Sequence, residues 1–366
     1  MQTSDGYLLN LHRIPHGRRG ADAPDAPRRP AVLLQHGLMM NSEVWLCKGA
    51  VSLPYVLADA GYDVWMGNTR GNRYSSAHVE LSSADDGFWD FSLDELCRFD
   101  MPAAIGYILR ETHRAPIEAT PDAADGYRRR AEDKIAYIGF SNGTAQAFGA
   151  LSLDSRLSDC ITTFIALSPA VRIRPLRSEM ADTLSQSVNH RYLFFLFGRR
   201  AMLGTTATQF QAFLPVNMWT SFIDLSLRWL FGWSTQNLVA GEKDRLYQHL
   251  YCYTSVKSII HWFQCMHHQR FQMYAPRGGF RMALPPRYDY GRIKTPMMLI
   301  YGDADSLIDA DAVIAELPKA TEVVKISSYE HLDTMWAASA PDLVWPRILN
   351  NLASHTAEEE RVAKHH

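Results

Sequence analysis

No C-x-x-C pair, no long basic stripe and no apolar run of membrane-spanning length occurs in this chain. Each absence removes a class of function. Lys and Arg number 37 against 39 Asp and Glu, a formal net charge of −2, so the electrostatic footprint of a nucleic-acid binder is missing. The cysteines are few and odd in number: Cys47, Cys97, Cys160, Cys252 and Cys265. Their scatter supports neither a zinc site nor a disulfide framework, and reduced, mostly buried thiols are expected. Residues 1–5 lead straight into a strand-like run at 6–15, so no signal peptide is expected. One glycosylation sequon, Asn142-Gly143-Thr144, falls inside a candidate active site, where a glycan is not expected. These features lean toward an intracellular protein. The stretch 201–223 carries no charge, yet it holds Thr205, Thr206, Thr208, Gln209, Gln211, Pro215 and Asn217. That polarity excludes a spanning helix and fits a surface that touches a lipid interface.

What is present is an ordinary globular composition, 47% hydrophobic and 21% charged over 366 residues. A chain of this length buries a large core without disulfides or metals. Short apolar runs at 31–34, 62–66, 134–138 and 162–167 read as strands. Helical patterns lie between them, at 51–60, 93–109 and 143–151, and strands resume at 297–301 and 322–326 before a last helix at 343–352. The alternation predicts an α/β fold with a mostly parallel central sheet and helices on both faces. Residues 16–30 and 115–133 read as exposed loops. Residues 171–290 are aromatic-rich and helical by pattern. The expected organisation is a core over 1–170 and 291–353, a helical cap inserted at 171–290, and a flexible tail over 354–366.

The strongest chemical signal is Gly139-Phe140-Ser141-Asn142-Gly143. It matches G-x-S-x-G, in which a serine sits on a tight strand-to-helix turn with its hydroxyl exposed. A serine needs a base to take its proton, and in this arrangement an acid follows in the chain and a histidine comes last. The run at 297–301 leads into four carboxylates, Asp303, Asp305, Asp309 and Asp311. The G-x-x-D spacing favours Asp305, with Asp309 the alternative. The base is His331, placed after the strand at 322–326; His355 lies too near the tail. Two backbone N–H groups must hold the oxyanion. Asn142 follows the nucleophile, and Leu38 stands in the Gln35-His36-Gly37-Leu38-Met39 loop after an early strand. His36 then shapes that loop.

These residues resemble the acid lipase family, which includes gastric lipase, lysosomal acid lipase and the fungal steryl ester hydrolases. The resemblance is carried by His36-Gly37-Leu38, Gly67-Asn68-Thr69-Arg70-Gly71-Asn72, Phe88-Trp89-Asp90-Phe91-Ser92, the elbow, and His331-Leu332-Asp333. In the cap, Tyr247-Gln248-His249-Leu250 and the region from Thr254-Ser255-Val256-Lys257 to His261-Trp262-Phe263-Gln264 look nearest the fungal branch. The resemblance implies an α/β-hydrolase fold, a Ser141–Asp305–His331 triad, Leu38 and Asn142 as oxyanion donors, and hydrolysis of steryl esters, triacylglycerols or both. It implies lipid droplets or membranes as the place of action; secretion is the alternative. Asn142 stands where the family usually has Gln, which spares the backbone N–H. The family pattern begins before Thr3-Ser4-Asp5-Gly6-Tyr7, so a preceding segment with a membrane anchor is an expectation.

The dense aromatic set in the cap, at residues 192–197 and at Phe231 and Trp233, either packs the cap on the core or contacts lipid. Met39, Trp219, Phe222 and Trp229 are taken as candidate substrate contacts. No metal or organic cofactor is required by this chemistry. An acyltransferase with the same triad, and a non-catalytic lipid-binding relic of the fold, are the rival readings.

Overall fold

A computed structural model describes residues 1–20, 28–112, 134–185, 190–202, 213–276 and 284–364. The loop expected at 115–133 lies outside the described residues, as does part of the one at 16–30. Seven strands among the described residues form the central sheet. They are β1 Leu11–Ile14, β2 Ala31–Gln35, β3 Asp63–Gly67, β4 Ile135–Phe140, β5 Ile161–Leu167, β6 Met297–Gly302 and β7 Glu322–Ile326, in the order β7-β6-β5-β4-β2-β3-β1. All neighbours are parallel except β1, which runs antiparallel to β3. The run at 6–15 is therefore not one strand. Tyr7–Leu8 pairs instead with Ala77–His78, and only Leu11–Ile14 joins the sheet.

Strands β2, β3, β4 and β6 are buried along their whole length, which is why they read as mostly apolar runs; the one charge, Asp63 in β3, is paired with Arg13. Their side chains alternate between two cores. Leu33, Tyr137, Phe164 and Leu299 face helices α2 Met101–Thr112 and α3 Asn142–Leu153 through Ile105, Ile108, Phe148 and Leu151. Val32, Leu34, Ile138 and Ile300 face α1 Leu53–Asp59 and the C-terminal helix through Leu57 and Ile348. The edge strand β7 alternates in burial, as a half-exposed strand does.

The helix expected over 93–109 is broken by a π-helical turn, Leu96–Asp100. The turn carries Asp100, which accepts the backbone and guanidinium N–H groups of Arg70. Arg70 is only 1% exposed, and it also pairs with Asp5 at 2.6 Å and lies 3.9 Å from the Tyr7 ring centroid. One buried cation thus ties the N-terminal segment to the loop after β3.

Between β5 and β6 the chain forms α4 Glu179–Ser185, α5 His190–Phe197, α6 Val216–Phe231 and α7 Val256–His267, with a small ribbon pairing Ala201–Met202 and Thr254–Ser255. Helix α8 Ala310–Glu316 links β6 and β7, and α9 Trp345–Lys364 is the last helix among the described residues. The helix expected over 343–352 therefore continues through the stretch expected as a tail from 354. The physical reason is composition: residues 354–364 are rich in Ala and Glu, which are strong helix formers. Among the described residues no helix is long and apolar enough to cross a membrane. All five cysteines are free, four of them buried and Cys252 half-buried.

Candidate active site

Strand β4 runs directly into α3, and Ser141 is the residue at the turn. Its backbone sits at φ 51° and ψ −116°, a conformation that costs an ordinary residue on the order of 1–3 kcal/mol. The turn is held closed from several sides. Ser141 N–H donates to the Leu167 carbonyl at 3.0 Å. Thr144 Oγ1 donates to the Ser141 carbonyl at 2.6 Å, and the Tyr137 hydroxyl donates to the Gly143 carbonyl at 2.7 Å. The flanking glycines have a steric cause. A Cβ on Gly139 would lie 2.8 Å from the Gly143 carbonyl carbon, and one on Gly143 would lie 2.2 Å from the Gln35 carbonyl oxygen.

His331 follows β7 and meets Ser141 across the sheet's carboxyl edge. Its Nε2 is 2.8 Å from Ser141 Oγ, and its Nδ1 is 2.7 Å from Asp305 Oδ2. A carboxylate only accepts, so Nδ1 carries the hydrogen and Nε2 is left to accept from the serine hydroxyl. His331 and Asp305 are both buried. The other Asp305 oxygen accepts the Leu307 N–H at 2.9 Å, which fixes the carboxylate plane. Two of the remaining acids are used elsewhere. Asp309 caps α8 through Ala312 N–H and pairs with Arg174, and Asp303 accepts from Ser328 N–H. His355 lies on α9. The three side chains can relay a proton from serine to imidazole while the carboxylate offsets the charge.

The loop after β2 packs against the elbow, because Gly143 lets the Gln35–His36 backbone approach the first turn of α3. His36 is buried, and its Nδ1 donates to the Gly37 carbonyl at 2.8 Å while Nε2 accepts from Thr69 N–H at 3.3 Å. Burial pushes its pKa down to about 4, so it is a neutral strut in this loop. Leu38 follows, and Met39 adopts φ 55° with its carbonyl accepting Cys252 N–H. Asn142 is the first residue of α3, where helix N–H groups have no partner within the helix. Its side-chain oxygen accepts the Trp262 indole N–H at 3.1 Å.

The candidate substrate contacts do not share one wall. Trp219 is buried, whereas Phe222 and Trp229 are exposed on α6, with Trp219 and Phe222 rings stacked at 5.8 Å. Met218, Phe222, Leu225 and Trp229 recur at helical spacing along one exposed face of α6. Two tryptophans escaped assignment to the site from sequence. Trp262 lies in a stretch that already resembled the family, so a signal existed. Trp233 stacks on the His331 ring at 5.2 Å and 10°, and nothing in local spacing points to that contact.

Residues 1–49 match the model of a partial α/β-hydrolase lipase region, and residues 30–117 match that of the α/β hydrolase fold. The chain is 39% identical over 370 residues to a probable lipase of Schizosaccharomyces pombe, covering 98% of this chain and 75% of that one. It is 34% identical over 365 residues to human lysosomal acid lipase/cholesteryl ester hydrolase, covering 96% and 86%. Among solved structures, a soluble variant of monoglyceride lipase from Saccharomyces cerevisiae in complex with a substrate analog matches with a TM-score of 0.54 at 14% identity, over 97% of this chain and 96% of that one. That last likeness is one of fold.

Proposed function

The chain belongs to the acid-lipase-like α/β-hydrolases, and we propose that it cleaves water-insoluble lipid esters, steryl esters or triacylglycerols, through Ser141, His331 and Asp305. It is a carboxylic ester hydrolase. The single observation that carries the site assignment is the unbroken pair of contacts, 2.7 and 2.8 Å, through His331 from a buried carboxylate to the elbow serine.

In the proposed reaction, His331 Nε2 takes the Ser141 proton as Oγ attacks the ester carbonyl. Asp305 keeps the imidazole in the accepting tautomer and stabilises its charged form. The backbone N–H groups of Leu38 and Asn142 bind the oxyanion, where each donor lowers the barrier by about 3 kcal/mol. The imidazolium then protonates the departing alcohol. Water, activated by the same His331, releases the fatty acid from the acyl-serine.

The insoluble substrate is supported by the helices at 171–290, read here as a cap over the core. The apolar face of α6, with Met218, Phe222, Leu225 and Trp229, faces solvent and suits contact with a lipid droplet or membrane surface. Phe222 and Trp229 fit that role better than the lining of an acyl tunnel. Trp219 and Met39 remain the candidates near bound substrate. The S. pombe relative, 39% identical against 34% for the human one, favours the fungal branch, and the human relative is a lysosomal acid lipase/cholesteryl ester hydrolase.

The test is a comparison of rates on cholesteryl oleate emulsion, triolein emulsion and p-nitrophenyl butyrate, with Ser141→Ala as control. The expected result is turnover of at least one emulsion that falls about 10³-fold or more in Ser141→Ala. Turnover of the soluble ester alone would overturn the substrate reading.

A further inference from the structure

Resting on the triad reading, we infer that the segment directly after α6, residues 233–237, is the positioning platform of the catalytic base, with Trp233 as its central residue. Helix α6 ends at Gly232, which takes the left-handed conformation at φ 77° and donates to the Arg228 carbonyl. A Cβ there would lie 2.5 Å from Arg177, so the turn needs glycine. The turn delivers Trp233 flat against the imidazole, with ring centroids 5.2 Å apart and planes within 10°. The indole is buried, and Phe231 stacks on it at 4.4 Å.

The same segment grips the chain on both sides of His331. The Glu330 carboxylate accepts Ser234 N–H at 2.7 Å, Ser234 Oγ–H at 3.0 Å and Thr235 N–H at 2.8 Å. Asn237 Nδ2 donates to Asp333 Oδ2 at 2.8 Å and to the Ser328 carbonyl at 2.7 Å. Ala338 N–H returns a bond to the Asn237 carbonyl at 2.9 Å. Thr235 Oγ1 is in turn bound to Asp224 on α6, which also holds Lys243 and Tyr247. The platform therefore belongs to the inserted helices, yet it holds the loop that carries the base of the triad.

Two consequences follow for catalysis. A ring stacked on one face cannot swing away from Ser141, and a tryptophan face stabilises the imidazolium formed when His331 takes the serine proton. The titratable groups around the ring are Ser141 ahead, Asp305 behind, and Glu330 and Asp333 on either side in its own loop. Residues 233–237 themselves carry no charge, and the acids bonded to them are Glu330, Asp333 and Asp224. The platform thus acts by stacking and by backbone capture.

The experiment measures kcat and KM on p-nitrophenyl butyrate across pH for the parent, Trp233→Leu and Trp233→Phe, with phosphonate labelling of Ser141 in each. Trp233→Leu is expected to lose about 10- to 100-fold in kcat, the scale of a small misplacement of a catalytic group, with KM within about twofold. Its acidic limb of kcat/KM should move to lower pH by about half a unit, the size of one cation–π contact. Trp233→Phe keeps a ring and should recover most of both effects. If Trp233→Leu does not fold, Trp233→Phe carries the test, with a smaller displacement in the same directions expected. A parent that is labelled, with kcat and limb unmoved in the folded variants, overturns the platform and leaves the triad standing. A parent that is not labelled overturns the triad reading itself.

Discussion

Gly143→Ala adds one methyl group where the structure has no room for it. The new Cβ would lie 2.2 Å from the Gln35 carbonyl oxygen and 2.9 Å from that of His36. Both atoms are backbone of the loop that carries Leu38. Relief to an ordinary contact requires about 1 Å of movement between this loop and the first turn of α3, the two proposed sources of the oxyanion N–H groups. A displacement of that size costs on the order of 10²-fold in rate, and loss of one oxyanion donor costs about 10² to 10³. Stability should fall as well, by about 1–3 kcal/mol for overpacking, partly offset by roughly 1 kcal/mol of helix propensity. The control is Gly106→Ala in α2, whose Cβ meets only the far end of Arg110 at 3.4 Å. There the same substitution should raise Tm slightly and leave activity unchanged. The assay is kcat/KM on p-nitrophenyl butyrate with a thermal melt. A folded Gly143→Ala variant within about threefold of the parent would refute the reasoning.

Three further outcomes are expected. Asp305→Asn should lower kcat by about 10⁴, because the amide no longer enforces the accepting tautomer, whereas Asp309→Asn, a helix cap, should stay near parental activity in the same assay. His36 is neutral in the fold with its pKa pushed down to about 4 from 6.5, so the unfolded chain takes up a proton that the native state refuses. Its contribution is whole above about pH 6.5 and is lost as pH falls toward 4, by up to about 3 kcal/mol, and urea unfolding of His36→Asn should show a flatter curve over that window. Arg70→Met leaves the buried Asp100 carboxylate without its cation and should cost about 3–5 kcal/mol in denaturant unfolding, with most of the kcat of the surviving native fraction retained.

Much of this architecture was legible in the sequence, for local reasons. Fully buried parallel strands must be short apolar runs, and β2, β4, β5 and β6 each stand out between polar loops. The elbow glycines, the acid after β6 and the histidine after β7 follow from where a parallel sheet presents its loops. Other features depend on partners distant in the chain. Trp233 was visible as one aromatic among many, and only the three-dimensional path of α6 brings it to His331. Glu330 and Asp333 flank the base in the sequence, but nothing local tells that the fold spends both on residues 234–237 and on the loop itself. The π turn at Leu96–Asp100 and its bond to Arg70 leave no periodic signature. The exposure of Phe222 and Trp229 was not legible either, since aromatic content alone does not tell an inward face of α6 from an outward one.

The central claim is that Ser141 is the activated nucleophile of a lipid ester hydrolase. The most direct measurement is covalent labelling with a serine-directed alkyl phosphonate, followed by mass spectrometry of the peptides. A single stoichiometric adduct on Ser141, absent in Ser141→Ala and formed far more slowly in His331→Ala, is the predicted result. An adduct on another residue, or none on the folded parent protein, would contradict it.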